Sequence, residues 1–170
     1  MPIGQTHPVL EISVLTPDDW PLWRTARLAA LADAPQAFGS RLSDWQGDGD
    51  REDRWRSRLS LDGSYNLLAL SAGVPVGMAS GITGDEPGTA ELISMWVAPA
   101  ARGQHVGDTL IGAIESWAAA AGYRELGLRV KADNAAAIRL YERHGFAFIP
   151  GAIPDEDGEL PMVRHLQNGD

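Results

Sequence analysis

Two stretches of this sequence combine residue types that could do chemistry. In VAPAARGQHVGDTL, Val97 to Leu110, Arg102 is followed by Gly103 and Gly107, four residues apart. Strand formers precede it in GTAELISMWV, and VGDTLIGAIESWAAAAG after it sets Val106, Leu110, Ile114 and Trp117 at helical spacing. The glycines therefore mark a turn from strand into helix. The first amides of a helix lack partners within it and, with the helix dipole, suit an anion such as phosphate, which glycine lets approach the backbone closely. Neither G-x-x-x-x-G-K-[ST] nor G-x-G-x-x-G is present. The spacing G-x-x-x-G also occurs in turns that bind nothing, so an anion site and a purely structural bend both fit. In the second stretch, VKADNAAAIRLYERHGF, Tyr141 follows Asn134 by seven positions and so returns to nearly the same helix face. One face could address one ligand, or Tyr141 could be packed between helix and sheet. Asn134 reads equally as a helix cap and as a ligand contact, and the two are compatible.

Composition narrows the setting. A chain of 170 residues with 44% hydrophobic residues fits one domain with its own core, the usual domain being ~100–200 residues. The expectation is a single domain over 1–170 with a loose tail over about 1–9. The sequence has no apolar run long enough for a membrane span and no basic-then-apolar start, so a soluble, cytoplasmic protein is expected. With no cysteine, thiol nucleophiles and thiolate metal sites are excluded, and four histidines without H-x-x-x-H spacing do not suggest zinc. No metal is expected. A net charge of −9 argues against nucleic acid and mildly favours cationic substrates.

The remaining elements follow from periodicity and punctuation. LEISVL reads as a strand, and Thr16 caps a first amphipathic helix in WPLWRTARLAALA. DREDRWRSRLSLDG reads as a second helix ending at Gly63. NLLALSAGVPVGMASGIT divides at Ala72-Gly73 into a hairpin, and TAELISMWV adds a third strand to an antiparallel meander. After the helix behind the glycine bend come a strand in ELGLRV, a helix capped at Asn134, and strands in FAFI and LPMVRHL. The order is mixed α/β.

These motifs, in this order, resemble the GCN5-related N-acetyltransferase (GNAT) superfamily. MWVAPAARGQHVG is similar to that family's acetyl-CoA loop, VKADNAAAIRLYERHGF to its later strand–helix–strand signature, and the meander stands in its usual place. The likeness runs over roughly Leu67 to Phe148, with the N-terminal helices matching in outline. It implies a mixed, mostly antiparallel, splayed central sheet flanked by helices, in which strands four and five part beyond a bulge. By position it implies Met95, Trp96 and Val97 along the pantetheine of acetyl-CoA. It likewise implies Arg102, Gly103, Gln104, His105, Val106, Gly107 and Asp108 around the pyrophosphate, with Asn134 as a further cofactor contact. One departure is visible: the family's loop commonly reads R-G-x-G-x-G, and His105 stands at the middle glycine. Histidine tolerates unusual backbone angles better than β-branched residues do, and its ring reads either as a phosphate donor or as a solvent-facing substitution.

The resemblance also assigns Tyr141 as the acid that protonates the departing thiolate. A phenol with an ordinary pKa of ~10 keeps its proton near neutrality and can give it to a thiolate whose ordinary pKa is ~8.5. Glu91, in TAELISMWV, is the first choice for a base. Strand alternation would put Glu91, Ile93, Met95 and Val97 on one face, and loss of the amine proton to water is the alternative.

The acceptor would lie against the first two helices and their loop, with Arg24, Arg27, Phe38 and Trp45 as candidate walls. Arg24 and Arg27 read more simply as a solvated helix face, and Trp20, Trp23, Trp45 and Trp55 as packing. The acidic run GAIPDEDGEL either attracts a cationic amine or is merely solvated. The activity implied is acetyl transfer from acetyl-CoA to the primary amine of a small or amino-acid-like acceptor. The alternatives are a protein or peptide N-acetyltransferase and a non-catalytic acyl-CoA-binding domain. Homodimers are frequent in the family, and neither membrane nor nucleic acid is an expected partner.

Overall fold

A computed structural model describes residues 9–35 and 41–166. The chain runs β1 (Leu10–Val14), α1 (Trp20–Asp33), α2 (Glu52–Leu59), β2 (Tyr65–Ser71), β3 (Val74–Thr83), β4 (Thr89–Val97), α3 (Val106–Ala120), β5 (Glu125–Lys131), α4 (Ala135–Arg143), β6 (Ala147–Phe148) and β7 (Glu159–His165). Its strands form one seven-stranded sheet of order β1-β2-β3-β4-β5-β7-β6. The meander β2-β3-β4 is antiparallel, as is every other pairing except β4 with β5. Ala72 and Gly73 join β2 to β3 with both residues at positive φ, 51° and 78°, the two-residue turn whose twist matches that of a hairpin.

Alternation along the strands supplies two cores, one per face. Leu67 and Ala69 of β2 join Ala79, Leu92, Leu126 and Met162 beneath Leu110 and Ile114 of α3 and Tyr141 of α4. Leu68 and Leu70 point the other way, to Met78, Trp96 and the α1–α2 tryptophans Trp23 and Trp55. The packing role expected of the tryptophans holds: Trp23 and Trp55 are fully buried, and Trp45 lies against Trp55 with ring centroids 4.5 Å apart. The second helix is shorter than its sequence pattern, and FAFI contributes only the exposed pair Ala147–Phe148 at the sheet edge. No helix among the described residues is long and apolar enough to cross a membrane.

Two irregularities shape the middle of the sheet. Met78 pairs with Trp96 but Ser80 with Ile93, so two steps on β3 meet three on β4, and Ser94 sits at φ 55° in this bulge. An extra residue reverses the alternation beyond it. Met95 and Val97 therefore pack against the α3 core along with Ala90 and Leu92, and they do not share a face with Glu91 and Ile93 as strict alternation predicts. Beyond the bulge lies the second irregularity: β4 and β5 pair at only Thr89↔Glu125, Ala90↔Leu126 and Glu91↔Gly127, and then part.

Close contact fixes α3 on the meander. Trp117 stacks on Tyr65 at 5.5 Å and leans on Tyr123 at the same centroid distance. A Cβ added at Gly81 would overlap the Trp117 ring. The ring is held by neighbours and cannot swing away, so Gly81→Ala should cost about 2 kcal/mol as an overpacked core site. Thermal unfolding followed by circular dichroism should show the midpoint falling by roughly 4–8 °C.

Candidate active site

The loop from β4 into α3 is built on left-handed backbone. Gly103 has φ 79°, and His105, the residue before α3, sits at φ 64° and ψ 18°. The middle position of the loop thus needs a conformation that glycine adopts freely and histidine adopts at a cost. The first amide of α3 to donate back is that of Thr109, to the His105 carbonyl at 3.1 Å. Those ahead of it are the ones a helix start leaves for an outside acceptor.

A cleft of about 660 Å³ opens at this point, and it contains nearly every residue the motifs singled out. Met95, Trp96, Val97, Arg102, Gly103, His105, Val106, Gly107, Asp108, Asn134 and Tyr141 all line it. Gln104 does not: its side-chain amide donates to the Ala100 carbonyl at 3.3 Å. Nor does Glu91, which stands on β4 where that strand last pairs with β5, opposite Gly127. Phe38 lies outside the described residues.

The cleft passes through the sheet. Val130 of β5 belongs to the α3 core, and its neighbours Arg129 and Lys131 point to the opposite face, yet all three line the same opening. Such a passage exists because β4 and β5 have parted. At one end are the helix start and, from α4, Arg139 and Arg143; at the other are Arg129, Lys131, Glu159 and Ala34, the residue after α1. The lining is cationic in a chain of net charge −9: Arg102, Arg129, Lys131, Arg139 and Arg143 face only Asp108 and Glu159 as carboxylates.

Hydrogen bonds define what each of these groups is free to do. Asn134 caps α4, its side-chain oxygen accepting from the Ala137 amide at 3.2 Å. Asp108 is tied down: Arg143 donates to it at 3.2 Å, His144 Nε2 lies 2.9 Å away and His105 Nδ1 3.3 Å. Burial alone would raise its pKa, but the bonds from His144, Arg143 and His105 together hold it below the usual carboxylate range. The Tyr141 ring is buried, edge-on to Phe146 at 5.9 Å, and that burial pushes the phenol up to about 12. Glu91 is half-buried, and desolvation raises its pKa, opposed by Arg129 and reinforced by Asp85 and Glu159. Glu159 is raised in the same way, by desolvation first and then by Asp155.

The flanking candidates are structural. Arg24 grips Asp50 with two bonds, at 2.8 and 2.5 Å, and Trp55 donates to the same carboxylate at 2.8 Å. Arg27 is half-buried, its pKa lowered by desolvation, so this pair is not the solvated face its spacing suggests. In the acidic run, Asp155 accepts from the amides of Asp157 and Glu159, both at 2.9 Å, and from Arg129 at 3.1 Å. That carboxylate builds the turn into β7. Sequence reasoning missed Arg129, Lys131, Arg139 and Arg143, and took in Glu159 only as one acid of the run GAIPDEDGEL. Alternation on β5 and the i, i+4 spacing on α4 could have found the four cations. Glu159 reaches the cleft only through its pairing with Lys131, which is not local in sequence.

Comparison with known proteins bears on this geometry. The model of the acetyltransferase (GNAT) family matches residues 28–146. The chain belongs to that family. The GNAT chain is 38% identical over 81 residues to an IAA acetyltransferase of Azospirillum brasilense, a match that covers 48% of this chain and 53% of that protein, so it spans about half the length of the curated relative. Its fold is similar to that of a ribosomal-protein-alanine N-acetyltransferase from Brucella melitensis, with TM-score 0.69 and 29% identity over 92% of this chain and 99% of that one. It also resembles the PaiA N-acetyltransferase of Thermoplasma acidophilum, solved in complex with coenzyme A, with TM-score 0.72 and 18% identity over 92% and 99% of the two chains. The splayed, mostly antiparallel sheet that the resemblance implied is thus matched by the fold of these acetyltransferases.

Left-handed strain at His105 has a consequence for stability. A non-glycine residue there costs ~1–2 kcal/mol, part of which glycine would return through its looser unfolded chain. The His105–Asp108 contact offsets little, since the imidazole is 86% exposed. His105→Gly should therefore melt no lower than the parent, and by differential scanning calorimetry roughly 2 °C higher.

Proposed function

We propose that this GNAT chain is an acetyl-CoA-dependent N-acetyltransferase acting on the primary amine of a small or amino-acid-like acceptor. The observation that carries this is the cationic passage through the parted strands, with a helix start at one end and a carboxylate at the other. Amides around Gly103 to Asp108 would take the diphosphate, Arg139 and Arg143 supply positive charge beside it, and Met95 and Val97 offer an apolar track for pantetheine. With His105 in the left-handed conformation, the backbone shape of a glycine loop is kept, so the exchange does not by itself remove the site.

The acceptor then meets the thioester on the far face. The amine nitrogen attacks the carbonyl carbon, forming the N–C bond, and strand amides exposed beyond the bulge stabilise the oxyanion. As the tetrahedral species collapses, the C–S bond breaks and the electron pair leaves on sulfur. The surplus amine proton passes to Glu91, through water because Glu91 is off the cleft wall, and the products are the N-acetyl amide and coenzyme A. Tyr141 faces the departing sulfur as a protonated donor. Complete transfer from a phenol at about 12 to a thiolate of ordinary pKa ~8.5 is uphill by roughly 5 kcal/mol. The hydrogen bond therefore stabilises the thiolate first, transfer follows as the same burial raises the thiol's pKa, and the phenolate is reprotonated through water as Glu91 gives up the amine proton.

Half-buried Glu159 and Glu91 favour an ammonium at the acceptor end. A second reading, transfer to a protein N-terminus, is favoured by the 29% identity to the ribosomal-protein-alanine enzyme. Assaying CoA release with a panel of small amines beside an alanine-terminated peptide separates the two.

Two variants test the chemistry. Tyr141→Phe should bind acetyl-CoA in calorimetric titration as the parent does, while kcat falls about 10²-fold or more, within the range for a lost acid. An unchanged chemical step would remove Tyr141 from the mechanism, and a parent that binds acetyl-CoA without transferring acetyl would favour the non-catalytic alternative. For Glu91 the folded pKa lies above the unfolded one, so the folded state holds more protons and stability falls as pH rises through the shifted value. Glu91→Gln should accordingly melt at or above the parent at pH 8 and lose activity where Glu91 is ionised, above the shifted value, the difference shrinking at the acid end as the parent's own carboxylate takes up its proton.

A further inference from the structure

Arg102 is not disposed as a free phosphate ligand. Its NH2 donates to Asp33 Oδ2 at 2.6 Å and its Nε to the Val97 carbonyl at 3.2 Å. Trp96 Nε1 donates to the same Asp33 oxygen at 3.0 Å. The bonds close a ring: Asp33 to Arg102, Arg102 to Val97, and Trp96, the residue before Val97, back to Asp33. Inside it lies the short 3-10 turn Pro99–Ala101, which hands the chain from β4 to the left-handed bend. Asp33 is the last residue of α1, and the next, Ala34, lines the cleft. One carboxylate thus joins three things: the end of the helix on the acceptor face, the strand beyond the bulge, and the loop that leads to the start of α3.

Each partner is suited to being held this way. The Trp96 indole is buried in the core beneath α1 and α2, so its N–H has few other acceptors. The guanidinium offers its NH2 to the carboxylate and its Nε to a carbonyl, two directions set by one planar group. The Asp33 side chain is 23% exposed and that of Arg102 56%, so solvent screens the bond between them, and the part-buried bond from Trp96 is the sheltered one that fixes the carboxylate.

We propose that Asp33 is a positioning residue for the acetyl donor: through Trp96 and Arg102 it holds the β4–α3 chain in the shape that seats the diphosphate, and Arg102 acts through it. The proposal rests on the donor reading above. It makes the α1 end and the donor loop one unit, so a group bound at either is felt at the other.

Calorimetric titration with acetyl-CoA tests this on the parent, Asp33→Ala, Asp33→Asn, Arg102→Gln and the Asp33→Ala/Arg102→Gln double variant, each at a temperature where circular dichroism shows it folded. Asp33→Ala and Arg102→Gln should each raise Kd roughly tenfold, within the range for contacting pairs, and the double variant should bind no worse than the weaker single one. Asp33→Asn should fall between parent and Asp33→Ala, because its amide oxygen can still accept from Trp96; a loosened fold would not be rescued in this order. Parent-like affinity in Asp33→Ala, or losses that multiply in the double variant, overturn the proposal, the latter because Arg102 would then be gripping phosphate itself. If Asp33→Ala does not fold, parent-like affinity in Asp33→Asn together with Arg102→Gln overturns it instead. A parent that fails to bind acetyl-CoA overturns the donor reading, and this inference with it.

Discussion

The parting of β4 from β5 after three residue pairs is the constraint from which the rest of this molecule follows. Inside a sheet, each unpaired strand edge leaves amides and carbonyls without partners, and buried polar groups of that kind are costly unless something else satisfies them. A gap that opens in the middle of a seven-stranded sheet is therefore tolerated where solvent or a ligand enters. Here the opening is lined by side chains from both faces, and a cleft that reaches through the sheet is the result.

Holding such a gap open falls to the structure around it. The bulge at Ser94 bends β4 away and turns Met95 and Val97 toward α3, which gives the α3 side of the gap an apolar wall. β5 is kept in place from its other side by seven pairs with β7, so its free edge does not collapse onto β4. The chain then returns from β4 to α3 through two left-handed residues, Gly103 and His105. Strained backbone of this kind persists where neighbours over-determine it, and the ring through Asp33, Arg102 and Trp96 is such a restraint.

How far this was legible in the sequence differs by scale. The helices and the meander could be read because their signals are local: Val106, Leu110 and Ile114 repeat at 3.6, and Ala72-Gly73 punctuates a hairpin. Local spacing was enough to read the loop as a strand–turn–helix and Tyr141 as sharing a helix face with Asn134, but only the family resemblance set the two at one site. What failed was everything that depends on one residue of phase or on a distant strand. Glu91 and Met95 look like one row in TAELISMWV, and only the register with β3 shows the extra residue between them. Arg24 looks solvated on its own helix, and only the loop's return brings Asp50 to it. Glu159 looks like one acid among several until β7 sets it beside Lys131.

Charge and burial divide the cleft into two unlike halves, and that division bears on the reaction itself. At the helix start, Asp108 could repel a diphosphate, but Arg143 and His144 hold its carboxylate between them, which leaves the surrounding field to the arginines. At the far end, Glu159 makes no ion pair among the described residues within 4.0 Å, and burial makes its charge expensive. An arriving ammonium would relieve that cost, and the proton it must lose before attack has a carboxylate of raised basicity nearby. Tyr141, in the cleft wall on the α3 side, has a phenol that keeps its proton because water is excluded from it. On the proposed mechanism the same exclusion would make a thiolate a poor solitary anion there, and donor and leaving group would be matched by a shared environment.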